Sequence, residues 1–492
     1  MDYQKEYYLS KSRFMAGLRC PKALYLNVHS PELLNDAHEI SLSIINGNAI
    51  GAMACQLFPG VMVKHEEGLS AAITQTERLI VDDAVTRIHE ATFSYDNVLV
   101  RVDLLERTDM GWSVTEVKGS TSVKEHHIND AAIQAWVLKE CGLKIVSINL
   151  MYVNDKFVYQ GKSDYQNLLC SQDISDEVFE ALNSIRNKKQ ALMGVLEDDT
   201  PDIEMGSQCY SPFDCEFIST CQSANVAEYP ISILPRINKG RVKVLSDAGY
   251  NDVREIPKGI LTNANHQRVW RATCAGEEEV DVSELRSINE WGWPRYYIDF
   301  ETIALAVPIW EGVKPYMQVP FQWSCHIHYP NGRVEHVKFL DVTGNDPRRA
   351  CAESLVSQIG KEGVLIAYNA GFEKGVIRHL ADLCPDLSES LTEMNQRFVD
   401  LLQIIRDGYY HPSQYGSWSI KAVLPTLVPE LSYSDLDSVQ NGSDAQLAWI
   451  QASESSAEKR DEIGNQLLEY CKLDTWAMVK IVEALKEKIP IN

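Results

Sequence analysis

Apolar and polar positions follow two different periods along this chain, and the changes of period mark its elements. Residues 70–95 carry an amphipathic helical spacing that gives way to a two-residue alternation, predicting a helix and then a strand. Residues 97–106 (NVLVRVDLLE) and 112–118 (WSVTEVK) are β-type runs around Thr108-Asp109-Met110-Gly111, which predicts a hairpin. Residues 129–141 read as a helix with Asn129 or Asp130 as its cap, 145–153 as a strand and 174–197 as another helix. A boundary is expected in 222–234, and 235–290 reads as short helices joined by loops. From Tyr296 onward a second α/β unit is predicted, with strands at 296–300, 319–328, 335–341 and 364–368 flanked by helices at 372–382 and 462–487.

Length and composition set the scale. At roughly 150 residues per domain, 492 residues predict two to four domains. Apolar residues at 45% and charged residues at 23% are ordinary globular proportions, so fibrous and disordered classes are excluded. No apolar run approaches the roughly 18–20 residues of a membrane span, and the N-terminus lacks the apolar core of a signal peptide. The expectation is a cytoplasmic protein away from membranes, with its 12 cysteines mostly reduced. A net charge of −23 argues against a protein that coats nucleic acid, because phosphate contacts come from Lys and Arg. It leaves room for an enzyme acting on nucleic acid, whose carboxylates hold metal ions and whose substrate path is a local basic strip.

Glu116 and Lys118 lie two apart on one predicted strand and therefore on one face, with Asp103 on the partner strand of the hairpin. Two carboxylates and a lysine can converge there: the carboxylates to bind Mg²⁺ or Mn²⁺, the lysine to stabilise developing negative charge. A solvated hairpin face is the alternative. RVD, then EVK thirteen residues after its Asp, then a helix carrying Gln134, resembles the RecB-type branch of the PD-(D/E)xK nucleases, similar to those of CRISPR adaptation and AddB-type end processing. The resemblance implies a restriction-endonuclease-like fold, Asp103 and Glu116 as metal ligands, Lys118 as catalytic lysine and Gln134 as the start of the QxxxY motif. Leu138 stands at that motif's tyrosine, and the helix expected at 47–56 offers no upstream histidine ligand; His65 and His89 are loosely placed substitutes.

QCYSPFDCEFISTC places Cys209, Cys215 and Cys221 at C-x5-C-x5-C in a loop-like context. Thiolates concentrated this way bind a soft metal or an iron–sulfur cluster. The spacing differs from the C-x2-C of common zinc modules, and a fourth ligand must come from elsewhere. The iron–sulfur RecB-type nucleases join one N-terminal cysteine to three that follow the nuclease core. On that resemblance the fourth ligand is Cys20 and the group a [4Fe–4S] cluster, with zinc as the rival.

Residues 235–272 hold eight basic residues, Arg241, Lys243 and Lys258 among them, against three acids. This basic excess reads as a DNA-backbone strip or as the solvated face of a helical linker.

YYIDFET sets Asp299 and Glu301 on one face of an apolar strand, where burial is costly unless they hold a metal or face a cleft. Glu373 falls in the first turn of a helix after VLIAYNAGF, and Tyr470 and Asp474 are i, i+4 neighbours on a long helix. Carboxylates from three elements can hold two metals, with the tyrosine positioning water. IDFET, NAGFE and YCKLD closely resemble the three motifs of the DnaQ-like DEDD exonucleases with a tyrosine in the last motif. That resemblance implies an RNase H-like fold and two-metal hydrolysis from a 3′ end. Glu373 stands where the family has Asp, and Asp400 reads as helical and structural. Nearby, Trp310, Tyr316, Phe321 and Trp323 are either base-stacking residues or strand core. His411, Ser419 and Lys421 either line a phosphate path or feed a helix.

The resulting expectation is an α/β protein. Residues 1–230 form a RecB-type domain with an iron–sulfur cluster, 231–294 a basic helical linker, and 295–492 a DnaQ-like domain. The arrangement resembles a bacterial two-domain family of unassigned function. The implied activity is a metal-dependent 3′–5′ exonuclease on single-stranded DNA in repair, recombination or defence. The alternatives are a nucleic-acid-binding protein with one or both sites inactive, and an RNA-trimming exonuclease.

Overall fold

Strand alternation and turn chemistry build the first sheet. The computed structural model describes residues 7–34, 41–211, 213–221, 227–433 and 439–490. It divides into one unit of Met1–Ala224 with Leu305–Met317 and another of Asn225–Ala304 with Gln318–Asn492. In the first unit the strands are β1 (Leu9–Ser10), β2 (Val61–Met62), β3 (Arg87–Tyr95), β4 (Val98–Thr108), β5 (Gly111–Lys118), β6 (Ile145–Val153) and β7 (Leu169–Asp173). They form a sheet in the order β2-β3-β4-β5-β6-β7, with β1 pairing β4. The predicted β4–β5 hairpin closes at Thr108, whose hydroxyl donates to the Gly111 carbonyl and accepts from the Gly111 N–H. Gly111 is required there, since a Cβ would meet the Lys144 carbonyl oxygen at 2.4 Å.

β5 and β6 are parallel, so the chain crosses between them through the helix Glu125–Glu140. That helix starts four residues before the expected start at 129, with Lys124 as its cap. Asn129 and Asp130 therefore lie inside it, and Asp130 is buried rather than capping. Its apolar side joins Val100, Val102, Val114, Ile148 and Leu150 in the core of this unit.

The second unit contains β8 (Glu279–Val280), β9 (Arg295–Ile303), β10 (Val319–His328), β11 (Val334–Leu340), β12 (Val364–Ala367), β13 (Phe398–Asp400) and β14 (Tyr409–Tyr410). Its main sheet runs β11-β10-β9-β12-β13, with β9 central, β10 and β11 antiparallel and β12 and β13 parallel. Along β9 the side chains alternate. Tyr296, Ile298 and Phe300 pack with Cys351, Leu355, Ile377 and Leu380 in one apolar cluster. The intervening positions face the other way, where Tyr297 joins Met478, Val479 and Val482 of the helix Ala457–Glu487.

Two segments pack differently from the expected three-part division. The stretch expected as a linker contributes Leu234, Leu245, Val253, Ile256 and Val269 to the same core as Tyr409, Trp418 and Met478, so it is built into the second unit. Residues 305–317 belong to the first, where Ala306 N–H donates to Asn46 Oδ1. Short apolar runs between helices carry no marker of which core they enter. The boundary expected in 222–234 falls partly on 222–226, outside the described residues. Among the described residues no helix is long and apolar enough to cross a membrane.

Candidate functional sites

The first site gathers on β3, β4 and β5. Leu104 lies opposite Thr115, which brings Asp103 beside Glu116, and Asp103 Oδ2 accepts the Val117 N–H at 2.7 Å. Glu116 is buried (2% exposed), and Lys118 Nζ sits 2.6 Å from its Oε1 on the same strand face. Gln134, fully buried on the helix Glu125–Glu140, donates to Glu116 Oε2. Leu138 is buried in the apolar core.

Two further residues complete this site. Lys11, at the start of the N-terminal helix Lys11–Arg19, reaches Glu116 Oε1 at 2.7 Å and Asp130 Oδ1 at 3.2 Å. Asp130 Oδ2 in turn holds Lys118 at 2.6 Å. The carboxylates of Glu116 and Asp130 thus share two ammonium groups. Glu90 is a third acidic neighbour: His89 lies opposite Leu104 and Ala91 opposite Val102, so Glu90 is level with Asp103, in the left-handed region at φ 55°. No sequence signal marks Lys11, because its partners are more than a hundred residues away. Asp130 is detectable as an acid one helical turn before Gln134. Lys11, Lys118, Asp103, Asp130, His126 and His127 line one cleft of about 1140 Å³. His89 is buried and bonded to the carbonyls of Asp103 and Phe58, so it is a structural residue.

Charge pairing decides the electrostatics here. Burial alone would push Glu116 up, but Lys11 and Lys118 outweigh it and hold its carboxyl well below the usual range. Burial and the neighbouring Glu116 charge push Asp103 up to about 8. Burial opposes the charge on Lys118, yet Glu116 and Asp130 hold it firmly protonated.

Cys20, Cys209, Cys215 and Cys221 belong to one apolar cluster with Phe217 and line one cavity. All four are free thiols, and Cys20 caps the C-terminus of the same helix that begins at Lys11. Burial raises the Cys221 thiol, and the other three cysteines add to that shift.

The second site lies on the face of β9 that Tyr297 shares. Asp299, Glu301 and Cys471 each offer an atom within 4.8 Å of the others. Asp474 and Tyr470, both buried, come from the helix Ala457–Glu487. Glu373, 3% exposed, comes from the first turn of the helix Gly371–Leu383, and its Oε2 has no partner among the described residues. Tyr433 donates to Asp474 Oδ1 at 2.5 Å. Lys421 Nζ lies 5.3 Å from the Tyr433 ring centroid and 6.0 Å from that of Tyr470, and donates to the Gln440 carbonyl.

Here a single ammonium, that of Lys421, opposes the upward shifts of Glu301 and Asp474. Burial, then Asp474, Glu301 and Glu373, push Asp299 well above the carboxylate range. Burial and Asp474 do the same to Glu301, with Lys421 in opposition. Burial lifts Glu373 to about 8 and Asp474 to about 6, the latter restrained by hydrogen bonds from Tyr433 and Tyr470. Four mutually repelling carboxylates facing one ammonium fit a divalent cation, which replaces lost solvation with charge. The Cys471 thiol is raised by burial and by Asp299, so it stays protonated and donates to Asp299 rather than serving a hard cation.

The remaining expected residues separate. Trp323 and Phe321 are fully buried and Trp310 nearly so, leaving no ring face for a base. Tyr316 is half-buried and its hydroxyl donates to the Gly119 carbonyl in the first unit. Phe321 and Trp323 lie on β10, an interior strand buried on both faces, so these two aromatics are core. Arg241, Lys243 and Lys258 are exposed, whereas Arg254, Arg268 and Arg271 are paired with acids. Asp400 ends β13 and caps the following helix by accepting from Leu402 N–H, a structural role as a cap and not within a helix. His411 and Ser419 each cap a short helix.

Comparison with known proteins adds one match. A family profile described as a domain of unknown function (DUF2779) matches residues 296–419, a stretch that includes Asp299, Glu301 and Glu373. No curated protein matches the chain.

Proposed function

We propose that this protein is a metal-dependent nuclease: a DnaQ-like exonuclease of RNase H-like fold in the second unit, accompanied by a RecB-type PD-(D/E)xK domain in the first. The observation that carries the reading is the anionic excess at Asp299, Glu301, Glu373 and Asp474 beside Tyr470. These carboxylates would hold Mg²⁺ or Mn²⁺, which supplies the missing positive charge and polarises a phosphoryl oxygen. Tyr470 keeps its proton, because burial and Asp474 raise it, and so orients an attacking water by hydrogen bonding. Lys421 adds a fixed positive charge beside the tyrosines. The substrate is single-stranded DNA with a free 3′ end, and the setting is cytoplasmic repair, recombination or defence.

In the first unit Asp103 and Glu116 are the ligands for Mg²⁺ or Mn²⁺ and Lys118 the catalytic lysine in this reading, with Gln134 orienting Glu116. A second reading applies to this site alone. Because Lys11 and Lys118 already neutralise Glu116 and Asp130, the domain is a nucleic-acid-binding module whose cleavage site is dormant. For the cysteines the reading is a [4Fe–4S] cluster on Cys20, Cys209, Cys215 and Cys221, which gather in one apolar cluster, with zinc as the rival.

The test is digestion of DNA and RNA strands labelled at either end, with Mg²⁺, Mn²⁺ or EDTA. Mononucleotides released from the 3′ end only with metal are expected. Intact strands of both kinds in every metal would remove the nuclease reading, and preference for RNA would select the trimming enzyme. Elemental analysis decides the cysteine site: iron with broad visible absorption is expected, and stoichiometric zinc in a colourless protein would replace the cluster.

A further inference from the structure

Within the second unit a cleft of about 970 Å³ carries Arg236, Arg241, Arg406 and His266 on its walls. None of its lining residues is acidic, although the chain has 69 Asp and Glu against 46 Lys and Arg. The guanidiniums of Arg236 and Arg406 make no hydrogen bond or ion pair with any described residue, and that of Arg241 is engaged only through one nitrogen, to the Ile260 carbonyl. Asp400 lies nearby with its Oδ1 accepting the N–H groups of Leu402 and Asn369, and it forms no ion pair with any of the three. Three guanidiniums that no described carboxylate pairs, in so acidic a protein, form a preorganised anion site.

The walls are held by backbone. Gly416, at φ 75°, packs so closely that a Cβ would meet the Ile233 carbonyl oxygen at 1.7 Å, which fixes the loop against the segment bearing Arg236. Beside it Tyr415 is 51% exposed and stacks on Tyr229 with ring centroids 5.4 Å apart, so an aromatic face stands at the rim. Two wall segments continue into the carboxylate site. Tyr368, bonded to the Trp418 carbonyl at 2.6 Å, lies five residues before Glu373. Ser419 caps the helix that carries Lys421 two residues later.

We propose that this cleft binds the sugar–phosphate backbone of a single nucleic-acid strand whose 3′ end enters the Asp299–Asp474 site. The inference rests on the nuclease reading for what happens at that end, but the binding itself does not. Guanidiniums contact successive phosphates, and the exposed tyrosine accepts a base by stacking.

The test measures binding of a fluorescent single strand to the full chain in EDTA, across a salt series. Arg236→Glu, and Arg236→Glu combined with Arg406→Glu, are expected to weaken binding about tenfold or more and to flatten the salt slope by roughly 0.7 for each phosphate no longer neutralised. Lys361→Glu, exposed and outside the cleft, is the control and should change affinity far less. Because Arg406 is half-buried, circular dichroism accompanies the double variant, and the exposed Arg236 single variant suffices alone. Deoxyribose and ribose strands form separate arms, and excess nucleoside monophosphate is the small-anion competitor. Wild-type affinity and slope in the folded Arg236→Glu protein overturn the proposal, as does full competition by the monophosphate. Metal-dependent shortening of a full-length strand labelled at its 5′ end is read in parallel, and its absence in the wild-type protein defeats the nuclease reading while leaving strand binding intact.

Discussion

The two carboxylate sites of this chain solve the same electrostatic problem in opposite ways. In the first unit Glu116 and Asp130 are clasped by Lys11 and Lys118, and Glu116 stays ionised well below its ordinary range. In the second, Asp299, Glu301, Glu373 and Asp474 face each other with tyrosines and a thiol between them, and all four are pushed upward. Buried charge must be paired or neutralised. The first site is paired from within; the second has pairing left to be supplied from outside. The difference teaches that a count of carboxylates does not identify a metal site. What matters is whether the chain brings its own cations.

The contrast breaks most visibly under mutation of the second site. Asp299→Ala with Asp474→Ala is expected to lower metal-dependent release from the 3′ end by at least 10²–10³-fold, about 3–4 kcal/mol. Unchanged digestion by this double variant would assign the activity elsewhere. Glu116→Ala should leave 3′-end release within a few-fold of the wild type if the first site is dormant.

Acidity sharpens the contrast next. Glu373 is raised to about 8, so the folded chain keeps a proton that the unfolded chain has released. Its contribution to stability therefore falls as pH rises from about 4.5 to about 8, by on the order of a few kcal/mol without metal. Glu116 has the opposite sign: its contribution is present at neutral pH and is lost on acidification below its ordinary range. Glu373→Gln in EDTA should be more stable than the wild type at pH 8 and nearly equal at pH 5, by denaturant titration. Addition of Mg²⁺ or Mn²⁺ to the wild type should stabilise more at pH 8 than at pH 5.

Removing an internal cation tests the first site. Lys11→Met leaves Glu116 and Asp130 with one ammonium instead of two and should cost roughly 1–3 kcal/mol in EDTA. Divalent metal should then recover part of that loss, and metal binding by calorimetry should strengthen in the variant in which Asp299 and Asp474 are already alanine. A loss untouched by metal would make Lys11 a plain structural brace.

The smallest effect is expected at Tyr433. Tyr433→Phe removes the hydrogen bond to Asp474 Oδ1 but keeps the ring, so digestion should fall less than tenfold. The Asp474 carboxyl, no longer restrained by that donor, should titrate higher, and the acid limb of the pH–rate profile should move upward.

Local pattern determined much of this protein. A two-residue period places Glu116 with Lys118 and Asp299 with Glu301, and a four-residue spacing places Tyr470 over Asp474; these relations follow from backbone geometry alone. The strands at 145–153 and 319–328 and the hairpin around Thr108 are readable for the same reason. Tertiary structure decided what those faces meet. Lys11 joins Glu116 across 105 positions, Tyr433 joins Asp474 across 41, and Glu90 stands level with Asp103 only because β3 and β4 pair in that register. The aromatics of β10 suit bases or core equally by pattern, and packing on both faces of a central sheet makes them core. The stretch from Ile231 to Ala272 reads as a linker because its helices are short, yet its leucines and valines close the core beneath the long C-terminal helix. Periodicity reports which way a side chain points from its own backbone. Charge pairing and burial depend on partners distant in sequence, and those are fixed only when the chain has folded.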